Sequence, residues 1–158
     1  MRGQWPKLVA LAAVLAGSAH AAPADWVGSD KCRDCHPEQA SSWAAGPHIG
    51  STAALGSDKR RQQCLGCHAT GEAPAGKALF DGVGCESCHG AGAAYAIDDI
   101  MRDPPLSAAL GLVDLGSRPA KERVCRRCHQ QELRPKPFDV EAAWARLPHG
   151  GKKVTGAQ

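Results

Sequence analysis

The 158-residue chain is poor in aromatic side chains, which make up 4% of it as four Trp, two Phe and one Tyr. That is little bulk for the aromatic and aliphatic core of an ordinary globular enzyme, so something other than side chains is expected to fill the interior. Long uninterrupted helices and strands are not expected either, because 18 Gly and 11 Pro are spread along the chain. No apolar run can span a bilayer: the longest, Leu8 to Gly17, has about ten residues where a spanning helix needs about 20. The only basic clusters are Lys59-Arg60-Arg61, Arg126-Arg127 and Lys152-Lys153. Clusters this short read as solvated surface, and nucleic acid is not an expected partner.

The amino terminus has its own logic. Arg2 and Lys7 precede the apolar run, and Ala19-His20-Ala21 reads as a small-x-small cleavage site. Residues 1–21 are therefore expected to be a secretory signal peptide, with a short membrane anchor as the alternative. The mature protein is expected to be exported, and soluble rather than membrane-spanning. Residues 22–149 form its one domain and 150–158 a flexible tail. Losing Arg2 and Lys7 lowers the formal charge from +3 to +1.

All eight cysteines fall in four copies of one pattern. They are Cys32-Arg-Asp-Cys35-His36, Cys64-Leu-Gly-Cys67-His68, Cys85-Glu-Ser-Cys88-His89 and Cys125-Arg-Arg-Cys128-His129. Three chemistries compete. Disulfides suit an exported protein, but they leave the histidines unexplained, and a Cys-x-x-Cys ring closes too short a loop to stabilise much. Zinc knuckles also ignore the histidines and need free thiolates in an oxidising compartment. Covalent c-type haem uses all twelve residues: both cysteines as thioethers, and His36, His68, His89 and His129 as proximal iron ligands. The expectation is four covalently attached haems that form the core of a compact multihaem cytochrome c. Its fold is mainly α with much coil and few or no strands.

An electron-carrying haem fills both axial positions, whereas a reactive one keeps a position open. Besides His20 in the leader and the four proximal residues, only His48 and His149 remain of the seven histidines. Both sit in Trp-x-x-x-Pro-His, at Trp43 to His48 and Trp144 to His149. Proline cannot continue a helix, so each histidine leaves a helix end at a fixed angle. Both are read as distal ligands, against the alternative of two surface histidines. Met101 is a candidate for a third position, with packing against a haem face as its other role. One haem still lacks an evident sixth ligand. Short helices are expected after His36 to about Ala45, over Leu106 to Leu110 and from Asp139 to Leu147. A polar helix is expected over Ser57 to Gln63. Surface loops are expected at Gly71 to Gly82 and Gly116 to Pro119, and a turn at Pro104-Pro105.

Three stretches resemble the tetrahaem cytochrome c-554 family. They are Cys35-His36-Pro-Glu-Gln-Ala-Ser-Ser-Trp43 with His48, then Gly82-Val-Gly-Cys85-Glu-Ser-Cys88-His89-Gly90-Ala-Gly92 with Tyr95, Met101 and Gly111, and Cys125 to His129 with Phe138, Trp144 and His149. The resemblance implies passage of electrons between periplasmic oxidoreductases, and one five-coordinate haem, favoured here at His68.

The expected function is therefore electron transfer between periplasmic or membrane-bound redox proteins. Two alternatives stand beside it. One is an enzyme acting on a small nitrogen species at an open haem, for which the sequence offers no evident cluster of proton donors. The other is an electron-transfer subunit of a larger oxidoreductase.

Overall fold

The computed structural model describes residues 25–60, 62–73, 77–130, 137–147 and 149. The leader at 1–21 and the tail at 150–158 lie outside these residues. The described residues form eight short α-helices, a 3-10 segment and an antiparallel pair of strands. In order they are α1 (Ser29–Arg33), α2 (Pro37–Ala44), the 3-10 segment (Ala53–Arg60) and α3 (Gln62–His68). Then come β1 (Ala69–Ala73), β2 (Lys77–Asp81), α4 (Cys85–His89), α5 (Asp98–Met101), α6 (Pro104–Ala109), α7 (Arg118–Cys125) and α8 (Val140–Arg146). Among the described residues no helix is long and apolar enough to cross a membrane.

The helices begin where proline or a capping side chain dictates. Pro37 opens α2 directly after His36. Asp103 caps α6 by accepting from Leu106 N–H at 3.1 Å, with Pro104 in its first turn. Asp139 caps α8 through Ala142 N–H at 3.0 Å. Three expectations need correction here. Pro104-Pro105 starts a helix instead of a turn. The stretch Gly116 to Pro119 is the start of α7, where Ser117 accepts from Ala120 N–H at 3.3 Å. The polar helix expected over Ser57 to Gln63 is instead the 3-10 segment up to Arg60, with α3 starting at Gln62.

The stretch from Gly71 to Gly82 also departs from the expected loop. Residues 71–73 and 77–81 of it lie in two antiparallel strands, in which Ala69 pairs with Asp81, Thr70 with Phe80 and Ala73 with Lys77. Its glycines and proline hide the strand alternation, but Thr70 explains why the hairpin is anchored. Its side chain is 1% exposed. The hydroxyl donates to Gly82 O at 2.8 Å, accepts from Gly84 N–H at 2.6 Å and meets Ser87 Oγ at 2.8 Å.

The polypeptide's own apolar core is small. Leu115, Ala120 and Val124 form a buried cluster, with Cys88, Val113 and Trp144 packed on it. The largest fully buried side chains are polar: Glu86, Thr70 and Ser107. Eight apolar residues are buried among the described ones, three of them alanine, which is little apolar area to offset the conformational entropy of a chain of this length.

Candidate metal centre

Each cysteine-histidine pattern folds as a helical turn. His36 N–H donates to Cys32 O at 2.9 Å, and His129 N–H to Cys125 O at 2.9 Å. The second pattern ends α3, and the third makes up the whole of α4. Residues i, i+3 and i+4 of a helix share one face. Both cysteines and the histidine therefore present to the same side, which covalent haem attachment requires and a disulfide does not. All eight thiols are free.

Two of the four proximal histidines are oriented by backbone carbonyls. His68 Nδ1 donates to Ser51 O at 2.8 Å and His89 Nδ1 to Val113 O at 3.0 Å. A carbonyl only accepts, so Nδ1 carries the proton and the Nε2 lone pair is left for a metal. The segment beneath His68 is held further by Ser51 Oγ and Thr52 Oγ1, at 3.0 and 2.6 Å from His68 O.

The remaining histidines meet proximal ones in pairs. His48 and His129 have ring centroids 6.2 Å apart and planes at 44°, and His89 and His149 are 6.2 Å apart at 53°. Two imidazoles bound to one metal from opposite sides, with bonds of about 2.0 Å, place their centroids about 6 Å apart. Among the described residues no three His, Cys, Asp or Glu side chains converge as a zinc site needs. The residues present thus fit a haem iron between paired imidazoles. Burial lowers the pKa of His48 and of His149, and for His149 the neighbouring His89 and His36 push the same way. Neutral imidazoles with available lone pairs are what a metal takes. His149 adopts φ of 70°, and its buried Nδ1 has no hydrogen-bond partner.

The two Trp-x-x-x-Pro-His stretches are anchored differently. Trp43 Nε1 donates to Val83 O at 2.9 Å, while Val83 N–H donates to His48 O at 2.9 Å. Trp144 packs on the Leu115 cluster, with Lys121 Nζ 5.0 Å from its ring centroid. Phe138 stacks on His129 at 4.2 Å with planes 6° apart. His48, His129, Phe138 and Trp144 line one cavity of about 230 Å³. Met101 ends α5, half-buried.

The attachment sites adjoin one another. Cys32 and Cys85 lie close enough that each shifts the other's pKa, up at Cys32 and down at Cys85. Ser29 Oγ accepts from Cys85 N–H at 3.2 Å across the same junction of first and third sites. Cys67 Sγ lies 3.9 Å from Arg127 O, and Cys128 Sγ 4.0 Å from Gly66 O, which joins the second site to the fourth. Arg127 also donates to Ser87 O, and Cys88 packs against α7. The contacts thus run from the first site to the third, the fourth and the second. Glycine allows the closeness of the first and third sites: a Cβ on Gly84 would lie 2.5 Å from Ser29 Oγ.

The roles of Ser51, Thr70, Val113 and Glu86 were not legible in the sequence. Each acts through a partner distant in the chain, and none belongs to a recurring pattern. The spacing of Glu86 between Gly84 and Gly92 was the only signal.

Residues 31–90 match the sequence profile of the family described as cytochrome c554 and c-prime. The chain is also similar to cytochrome c-554 of Nitrosomonas europaea, 32% identical over 107 residues. That alignment covers 52% of this chain and 46% of the relative, so the chain matches less than half of the relative's length. No solved structure matches the chain. Over residues 31–90, which hold the first three cysteine-histidine turns, the chain is thus similar to the cytochrome c-554 family, whose cofactor is covalently bound c-type haem.

Proposed function

We propose that this protein is a periplasmic tetrahaem c-type cytochrome that carries electrons between redox proteins, free or membrane-bound. The observation that carries the reading is the pairing of His48 with His129 and of His149 with His89, each at 6.2 Å. In this reading Cys32, Cys35, Cys64, Cys67, Cys85, Cys88, Cys125 and Cys128 attach four haems. His36, His68, His89 and His129 are the proximal ligands. His48 completes the iron of His129, and His149 that of His89.

Bound haem supplies one-electron chemistry at each iron. The chain's own residues supply the rest. The carbonyls of Ser51 and Val113 hold the tautomer of their histidines, so the imidazoles need not reorganise when charge changes. Trp43 and Val83 hold His48 in place. The junctions between sites keep the four centres contiguous, which electron passage across the molecule requires. The sparse apolar cluster is also accounted for, since four macrocycles would bring the missing apolar area.

Two sixth positions remain, those opposite His36 and His68. Met101 is the candidate for one, and the position opposite His68 is assigned as open. The test is to purify the mature protein, reduce it and add carbon monoxide. Binding at about one haem equivalent, with the remaining haems low-spin, is the expected result. A protein with no covalent haem, or with every haem inert to the gas, is incompatible with the assignment.

A further inference from the structure

Glu86 is a charged side chain in an unusual place. It is 2% exposed, inside the Cys85–Cys88 turn. Oε1 accepts from Val27 N–H at 2.9 Å and from Gly92 N–H at 2.7 Å, and Oε2 from Gly28 N–H at 2.8 Å. None of the ion pairs among the described residues involves it. Backbone dipoles in such a nest satisfy the oxygens, but they carry no net charge. The carboxylate is therefore hydrogen-bonded yet uncompensated, a costly arrangement for a role that is only structural.

Its position explains what the charge acts on. The nest is built from Val27 and Gly28, just before the first attachment site, and from Gly92, just after His89. Gly28 O in turn lies 3.8 Å from Cys32 Sγ. The carboxylate thus sits between the first and third sites.

We propose that Glu86 is a potential-setting residue, a fixed buried anion that favours the ferric state of the irons at the third and first sites. Reduction adds one electron from a partner redox protein to the iron, with no bond made or broken. A negative charge held nearby in a poorly screened interior disfavours that step. The proposal rests on the tetrahaem reading above.

The test is an optical redox titration of the matured holoprotein and three variants. In Glu86→Gln the charge is lost. The oxidised-to-reduced ratio at a fixed potential is expected to fall about tenfold at one or two irons, a rise of about 59 mV. Glu86→Asp keeps the charge on a shorter stem and is expected to keep the low potentials. Glutamine turns an amide N–H toward Gly28 N–H, so Ala96→Lys provides an independent route. A Cβ on Gly92 would lie 3.1 Å from Glu86 Oε1 and 3.6 Å from Ala96 Cβ, so a lysine there brings a cation beside the carboxylate. It is expected to raise the same potentials. Unchanged potentials in Glu86→Gln or Ala96→Lys overturn the proposal. So does a rise in Glu86→Asp as large as in Glu86→Gln, which would make the clamp's shape and not its charge responsible. A wild-type protein with no haem redox wave would instead sink the tetrahaem reading.

Discussion

His48 follows the first attachment site in the chain, yet its ring faces that of His129 in the fourth, at 6.2 Å and 44°. His149 stands in the same relation to His89 of the third site. The two Trp-x-x-x-Pro-His stretches therefore place their histidines beside different Cys-x-x-Cys-His turns, in neither case the one nearest in sequence.

This pairing makes a specific prediction about spin state. His48→Ala is expected to convert one haem equivalent from low to high spin, and His149→Ala a different one. The double variant should show both changes added. Electron paramagnetic resonance of the oxidised protein reads this directly. If the two single variants change the same haem, the pairing is wrong.

The count of attachment sites sets the mass. The mature chain is expected to carry four haem masses that survive acid-acetone extraction. Replacing both cysteines of any one pattern by alanine should remove one of the four. Mass spectrometry of the intact protein distinguishes this from zinc, which acid releases.

Thr70→Val keeps the shape of a fully buried side chain and removes its hydroxyl. Gly84 N–H and Gly82 O then lose a partner at the hairpin's junction with the third site. The expected loss is about 3 kcal/mol, from two buried polar groups left unsatisfied. Denaturant unfolding of the oxidised holoprotein measures it, and a loss below about 1 kcal/mol would show that water replaces the hydroxyl.

Tyr95 predicts an alkaline limit. Its hydroxyl donates to Gly90 O at 2.7 Å, and the side chain is 5% exposed. Burial raises its pKa above the ordinary value of 10, and Glu86 adds to the shift. The folded state therefore holds this proton after the unfolded state has lost it. The contribution is fully present below about pH 10 and is lost as pH rises toward the folded value. Tyr95→Phe is expected to cost about 1 kcal/mol at neutral pH. The gap between the two proteins should narrow above pH 10. A constant gap in unfolding free energy from pH 8 to 11 would contradict the assignment.

The four cysteine-histidine turns were legible because everything they need lies within five residues. A helical turn brings Cys85, Cys88 and His89 to one face whatever the rest of the chain does. The starts of α2 and α8 were legible for the same reason, since Pro37 and Asp139 act on the turn they begin. The start of α7 was missed although Ser117 is an ordinary cap, because Gly116 and Pro119 beside it read as a loop. The hairpin was missed because its strands are short and interrupted, and what secures it is the contact of Thr70 with Gly82, Gly84 and Ser87.

The sequence by itself determined which residues are the candidates for the chemistry: four cysteine-histidine turns and two further histidines in a shared context. Only the tertiary structure decided which histidine faces which, that the first site adjoins the third and the second the fourth, and that Glu86 lies buried between two sites. Spacing along a helix acts over one turn and is written in local sequence. The meeting of His48 with His129 depends on the long-range bonds through Val83 and Trp43, and no local pattern specifies those.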